Sequence, residues 1–213
     1  MAEKDLTPWR VNFCYIYKMK PKKVIQIGCG LSTSVILQAS LEADYNPEIV
    51  CIEPYPNKFI KKIAREGKIT LLAEKAQDVS VEVLTDLGEQ GLLFIDSTHT
   101  VKPGSEVNRI ILEVLPRLKK GNYVHFHDIY FPYDYGRNIL TDCLFFWNES
   151  PLLHAFLINN SNYTIKASLS MLHYGKKNEL KKYLINYSPQ PDADGLPAGK
   201  GHYPSSIYLQ VKS

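Results

Sequence analysis

VIQIGCGLSTSVILQASLEADYNPEIVCIE, residues 24 to 53, decides the fold. An apolar run of strand length, Val24 to Ile27, meets the glycine turn Gly28-Cys29-Gly30. Leu31 to Leu41 then takes helical spacing, opening with Ser32 and Thr33 as candidate caps, and a second short run, Glu48 to Glu53, ends on a carboxylate. Strand, tight turn, helix and strand make the βαβ unit of a parallel sheet. Glycines in that turn let a ligand approach the backbone, and an acid closing the next strand can accept both hydroxyls of a ribose, which fits Gly28, Gly30 and Glu53. A tight turn beside an exposed glutamate is the plain alternative. A pyrophosphate fingerprint would need a small residue at position 33, where Thr33 stands.

The same alternation runs outward in both directions. Residues 8 to 19 suit a leading helix, broken by Pro21. After Glu53 the pattern gives a helix over Lys58 to Arg65, a strand over Lys68 to Ala73 and a helix over Val79 to Leu87. A central strand, Gly91 to Asp96, precedes an amphipathic helix over Ser105 to Leu118 and a fifth strand over Tyr123 to His127. Beyond the loop Tyr130 to Gly136 we expect a helical region to about Asn159, a strand over Tyr163 to Ala167, a helix near Lys176 to Leu184 and a last strand over Ser206 to Val211. The Pro- and Gly-rich stretch 186 to 203 reads as a lid or surface loop.

With 213 residues, 45% hydrophobic and 22% charged, the chain suits one globular domain spanning 1–213, and global disorder is excluded. Lys+Arg 25 against Asp+Glu 22 leaves a formal charge of +3, too little to announce a nucleic-acid or membrane surface. MAEKDLTPWR carries no secretion signal, and no eighteen apolar residues run together, so a soluble, cytoplasmic chain is expected. Cys14, Cys29, Cys51 and Cys143 lie far apart without metal-ligand spacing and are read as reduced core thiols. The aromatic segment Trp9 to Tyr17 could pack on a second subunit, giving a homo-oligomer.

Open parallel sheets bind ligands beyond the carboxyl ends of their strands. Those ends are polar here: Gly28-Cys29-Gly30, Glu53, Asp96 with His99 three residues on, and His125-Phe126-His127-Asp128. If the fourth and fifth strands are neighbours, Asp96 and Asp128 meet and repel unless a cation lies between them, most naturally magnesium or manganese, with His127 or His99 alongside. Otherwise Asp96 caps the following turn and Asp128 pairs with a lysine. His125 and His127 share a strand face, so only His127 reaches the rim, and His125 reads as a buried imidazole. His99 is placed for a general base or for an ordinary surface histidine. The aromatics of Phe131 to Tyr135 and Trp147 suit either an acceptor site or core packing.

Nearly the whole chain resembles the class I S-adenosylmethionine-dependent methyltransferases, in particular the macrocin and sugar O-methyltransferase branch. The resemblance rests on VIQIGCGLST (24–33), CIEP (51–54), LLFIDSTHTVKPGSEVN, LPRLKKGNYVHFHDIYFPYDY, WNES (147–150), AFL (155–157) and PSSIYLQ. It implies a Rossmann-like three-layer α/β sandwich with a seven-stranded, mostly parallel sheet whose last strand is antiparallel. It further implies S-adenosylmethionine over Gly28, Gly30, Ser32 and Thr33, with Glu53 on the ribose, Gln77 and Asp78 beside the adenine, and Asp96 at the reacting end. In metal-dependent relatives the positions of Asp96, His127 and Asp128 carry Mg2+ or Mn2+, and that of His99 carries the base. Gln26 departs from the usual acid of the first motif, and His127 stands where a carboxylate is frequent. The expected acceptor is a hydroxyl of a sugar or another small natural product. The rivals are a non-catalytic cofactor-binding or interaction module on the same fold and, with less support, an NAD-dependent reductase, opposed by Thr33 and by the lack of a Tyr-x-x-x-Lys pair.

Overall fold

The structure is a computed structural model that describes residues 7–135, 139–141, 144–184, 187 and 205–212. A leading helix, α1 (Thr7–Met19), precedes β1 (Lys23–Ile27), α2 (Leu31–Glu42), β2 (Glu48–Ile52), α3 (Lys58–Arg65), β3 (Thr70–Leu72), α4 (Val81–Thr85) and β4 (Leu92–Ile95). The chain continues through α5 (Glu106–Arg109), β5 (Tyr123–His127), α6 (Glu149–Leu157), β6 (Tyr163–Ser168), α7 (Leu169–Gly175), α8 (Lys177–Tyr183) and β7 (Ser206–Val211). The seven strands form one sheet in the order β3-β2-β1-β4-β5-β7-β6. The first five pair in parallel, and β7 lies antiparallel between β5 and β6. This is a Rossmann-like α/β sandwich, its seven-stranded sheet mostly parallel, with β7 inserted antiparallel.

Both faces of the sheet are covered, which is why its strands are apolar almost throughout. On one face Ile16 of α1, Ile36 and Ala39 of α2 and Ile60 and Ile63 of α3 pack on Val24, Cys51, Leu92 and Tyr123. On the other, Leu84 of α4, Val107 of α5 and Leu153 of α6 pack on Ile25, Ile27, Leu93, Ile95, Val124 and Phe126. No described helix is long and apolar enough to cross a membrane.

Several expectations need correction. The helix over 105–118 is α-helical only through Arg109, then widens into a π-helical turn, Ile110–Val114, and tightens into a 3₁₀ turn, Leu115–Arg117. Pro116 has no N–H to donate to residue 112, so the regular ladder stops there. The third strand shrinks to Thr70–Leu72 and its following helix to Val81–Thr85. Leu169–Gly175, unassigned from the sequence, is a helix capped by Ser168, whose hydroxyl accepts from the Met171 N–H at 3.3 Å. Before α6, residues 144–148 form neither helix nor strand. Cys14 is exposed on α1 and is not a core thiol, whereas Cys51 is buried and Cys29 partly so. Cys143 and the expected lid, Tyr187 apart, lie outside the described residues.

Candidate active site

Register brings the polar strand ends to one edge. Ile27 pairs with both Ile52 and Ile95, and Ile95 with Phe126, so Gly28, Glu53, Asp96 and His127-Asp128 follow side by side. The ladder runs one step further: Gly28 N–H donates to the Ile52 carbonyl at 3.0 Å and Asp96 N–H to the Ile27 carbonyl at 2.9 Å. Gly28 has φ +80°, and a Cβ there would stand 1.8 Å from the Asp96 carbonyl oxygen, so only glycine allows β1 and β4 to turn out together. At Gly30 a Cβ would meet nothing within 4 Å. Open space therefore adjoins the start of α2.

Gly30, and neither Ser32 nor Thr33, is the N-cap of α2. Both hydroxyls turn inward to Gln26: its Nε2 donates to Ser32 Oγ, and Thr33 Oγ1 donates to its Oε1 at 2.9 Å. Thr33 Oγ1 also accepts from the Gly30 N–H at 3.3 Å. Gln26, buried and engaged in this way, braces the glycine turn from below, which explains an amide at this position. Ser32 and Thr33 are both buried, with their hydroxyls engaged within the turn.

On the far side of the same space, Glu53 accepts from the Cys29 N–H at 3.3 Å and the Tyr55 N–H at 2.9 Å, so its carboxylate is fixed at the rim. Gln77 is half-buried and Asp78 exposed in the turn after β3. That turn is tied to α5 by Arg109, whose Nη1 donates to the carbonyls of Ala76, at 3.1 Å, and Gln77. Arg109 escaped the sequence reading because its partners are main-chain oxygens.

One strand over, four titratable side chains converge. His99, with φ 57°, turns back over the ends of β4 and β5. Its Nε2 lies 3.7 Å from Asp96 Oδ1 and 3.9 Å from Asp128 Oδ2. His127 Nδ1 lies 3.1 Å from Asp128 Oδ1 and 3.8 Å from Asp96 Oδ1. Asp128 also accepts from Ser205 Oγ at 2.9 Å. Ligand atoms of Asp96, His99 and Asp128 all fall within 4.8 Å of one another. Donors about 2.1 Å from an octahedral cation lie roughly 3 to 4 Å apart, so this oxygen and nitrogen set fits Mg2+ or Mn2+. His99 joins the two carboxylates in this grouping, and His127 lies beside it within 4 Å of both.

Burial pulls the His99 imidazole down, but Asp96, Glu149 and Asp128 together push it up to about 10. Burial works against the Asp128 carboxylate, yet His127 and His99 hold it down to about 2. His127 is raised, as Asp128 and Asp96 outweigh its burial. His125, one pleat inward, is lowered well below the ordinary histidine range by burial and by His127. It stacks on Tyr208 at 4.3 Å and meets Phe94 edge-on at 4.6 Å, as expected of a buried imidazole.

An aromatic wall stands over this cluster. Trp147 lies 4.7 Å from the His99 ring, with Phe145 stacked on it at 5.0 Å and Tyr135 edge-on at 5.8 Å. The residue the sequence reading missed is Glu149, wholly buried with Oε2 2.8 Å from His99 Nδ1. A glutamate opening a helix ordinarily reads as a solvated partner of the helix dipole. Its setting after Phe145-Phe146-Trp147 was the available signal.

Residues 25–129 match the sequence profile of a family described as a methyltransferase domain. No match is found among curated proteins. Among solved structures, an S-adenosylhomocysteine-bound methyltransferase of Podospora anserina is 16% identical, with TM-score 0.54, over 96% of this chain and 78% of its own. A candidate O-methyltransferase of Klebsiella pneumoniae is 12% identical, with TM-score 0.54, over 100% of this chain and 83% of its own. A candidate caffeoyl-CoA O-methyltransferase of Staphylococcus aureus is 13% identical, with TM-score 0.51, over 96% and 82%. At these identities the likeness is one of fold.

Proposed function

We propose that this chain is a class I S-adenosylmethionine-dependent methyltransferase that methylates a hydroxyl of a small-molecule acceptor. One observation carries the reading: open space at Gly30, rimmed by Glu53, lies one strand from the Asp96, His99 and Asp128 cluster. The methyltransferase-domain profile over residues 25–129 supports it.

When bound, S-adenosylmethionine supplies an electrophilic methyl group. Gly28 and Gly30 keep the turn open for it, the first backbone groups of α2 face it, Glu53 takes the ribose hydroxyls, and Gln77 and Asp78 border the adenine. The aromatic wall of Tyr135, Phe145 and Trp147 orients the acceptor, a sugar or another small natural product, and excludes water. His99 is the group that takes the hydroxyl proton at Nε2. Asp96 and Asp128, flanked by His127, are the holders of a divalent cation, which would supply charge for the developing alkoxide and replace the His99 proton as their counter-charge. The convergence of His99 with both carboxylates favours a second reading, in which His99 is itself a ligand.

Calorimetric titration with S-adenosylhomocysteine, with and without Mg2+ and beside NADH, tests the cofactor. Binding of S-adenosylhomocysteine alone is expected; binding of NADH, or of neither, overturns the proposal. Asp96→Ala and Asp128→Ala should abolish turnover while leaving that affinity within a few fold, whereas equal loss of both would mark a structural role. Mn2+ binding by His99→Gln separates the two readings: retained affinity makes His99 the base, and lost affinity makes it a ligand. A chain that binds the cofactor and methylates no hydroxyl compound would be a binding module.

A further inference from the structure

Glu149 opens α6 with its side chain wholly buried. An ionised carboxylate in a protein interior costs several kcal/mol unless a partner compensates it, so its environment calls for a reason. Among the described residues its hydrogen-bonding partner is His99, at 2.8 Å from Nδ1 and 50 positions away in sequence. The two preceding residues serve the same loop. Asn148 donates its N–H to the His99 carbonyl at 3.0 Å, accepts from the Val101 N–H through Oδ1, and donates Nδ2 to the Val101 carbonyl at 3.3 Å. Trp147 covers the imidazole face. Three consecutive residues thus hold His99, or the loop that carries it, at a φ of 57° that is costly for a residue with a Cβ.

We propose that Glu149 is the positioning residue of His99, accepting a hydrogen bond from Nδ1–H and so reserving Nε2 for the gap between Asp96 and Asp128. An ionised carboxylate only accepts, so it requires the proton on Nδ1. In the neutral ring the lone pair then lies on Nε2, the nitrogen that faces both aspartates. Without that acceptor the ring can turn over or change tautomer, and the site loses its aimed nitrogen. Base and ligand need the same nitrogen, so this role holds for either function of His99. Its catalytic consequence rests on the methyltransferase reading; the tautomer does not.

The test is 1H–15N NMR of the full chain labelled with 15N-histidine, with the His99 signals identified by their loss in His99→Gln. In the neutral ring, reached as the pH is raised past about 10, Nδ1 is expected to stay protonated with Nε2 bare, whereas Glu149→Gln, whose amide can accept or donate, populates both tautomers. Turnover by Glu149→Gln should fall about 10- to 100-fold, the range for partners that orient an active-site histidine, with S-adenosylhomocysteine affinity unchanged within a few fold. A bare Nδ1 in the unsubstituted chain, which would place the proton on Glu149, overturns the proposal. So does a Glu149→Gln chain with unchanged tautomer and turnover. If Glu149→Gln fails to fold, the spectrum of the unsubstituted chain decides alone. Failure to bind S-adenosylhomocysteine would refute the methyltransferase reading and leave the tautomer result standing.

Discussion

At the scale of single residues, Gly28 and Gly30 look interchangeable in the sequence and are not. Gly28 is demanded by the fold, since its φ of +80° and the Asp96 carbonyl leave no room for a Cβ. Gly28→Ala should therefore lower stability by about 2 kcal/mol or more in urea unfolding, through backbone strain and overlap. Gly30 faces open space, so Gly30→Ala should leave stability nearly unchanged. It should instead weaken S-adenosylhomocysteine binding by about 1–3 kcal/mol, the cost of overfilling a packed site. Unchanged affinity for Gly30→Ala would move the cofactor away from this turn. Ser32 and Thr33 teach a related point. Their residue types suggested caps, but the buried amide of Gln26 takes both hydroxyls.

At the scale of elements, capping is the clearest local determinant. Asn57 precedes α3 and its Oδ1 accepts from the Ile60 N–H at 2.9 Å. Asn57→Ala should cost about 1 kcal/mol, read by thermal or urea unfolding, and no loss would mean that water satisfies the helix start equally well. Strand and helix order was legible because burial on both sheet faces imposes apolar runs, and helices on those faces impose a 3.6-residue period. β5 and β7 occupy the bounds read from the sequence, Tyr123–His127 and Ser206–Val211. The 105–118 helix was less legible because the widened turn before Pro116 keeps the same apolar spacing. The helix Leu169–Gly175 was invisible as a separate element because it follows β6 without an intervening loop.

At the scale of the whole molecule, the buried histidines set how stability responds to acid. His125 is held neutral far below its unfolded value near 6.5, so the unfolded chain binds a proton that the folded chain refuses. Stability should fall as pH drops below about 6.5. His99 and His127, raised in the folded chain, add nothing to this acid-side change, because below that pH they are protonated in both states. Asp128, held at about 2, adds a second loss as pH falls from about 4 through that value. Urea midpoints measured against pH should show the first loss shallower in His125→Phe, with His173, also lowered, accounting for the remainder. An unaltered slope would shift the cause to other groups.

By itself the sequence determined the αβ alternation and the polar carboxyl edge of the sheet, with Gly28, Glu53, Asp96 and Asp128 at its strand ends. These follow from local periodicity and from the rule that parallel strands end on one side. Only the tertiary structure decided that β4 and β5 lie side by side, that His99 turns back to join Asp96 and Asp128, that Gln26 faces inward, and that Glu149 stands behind His99. The reason is one of distance along the chain. A backbone turn at positive φ and a buried pairing across 50 residues leave no periodic trace, because they depend on which loops the completed sheet brings together.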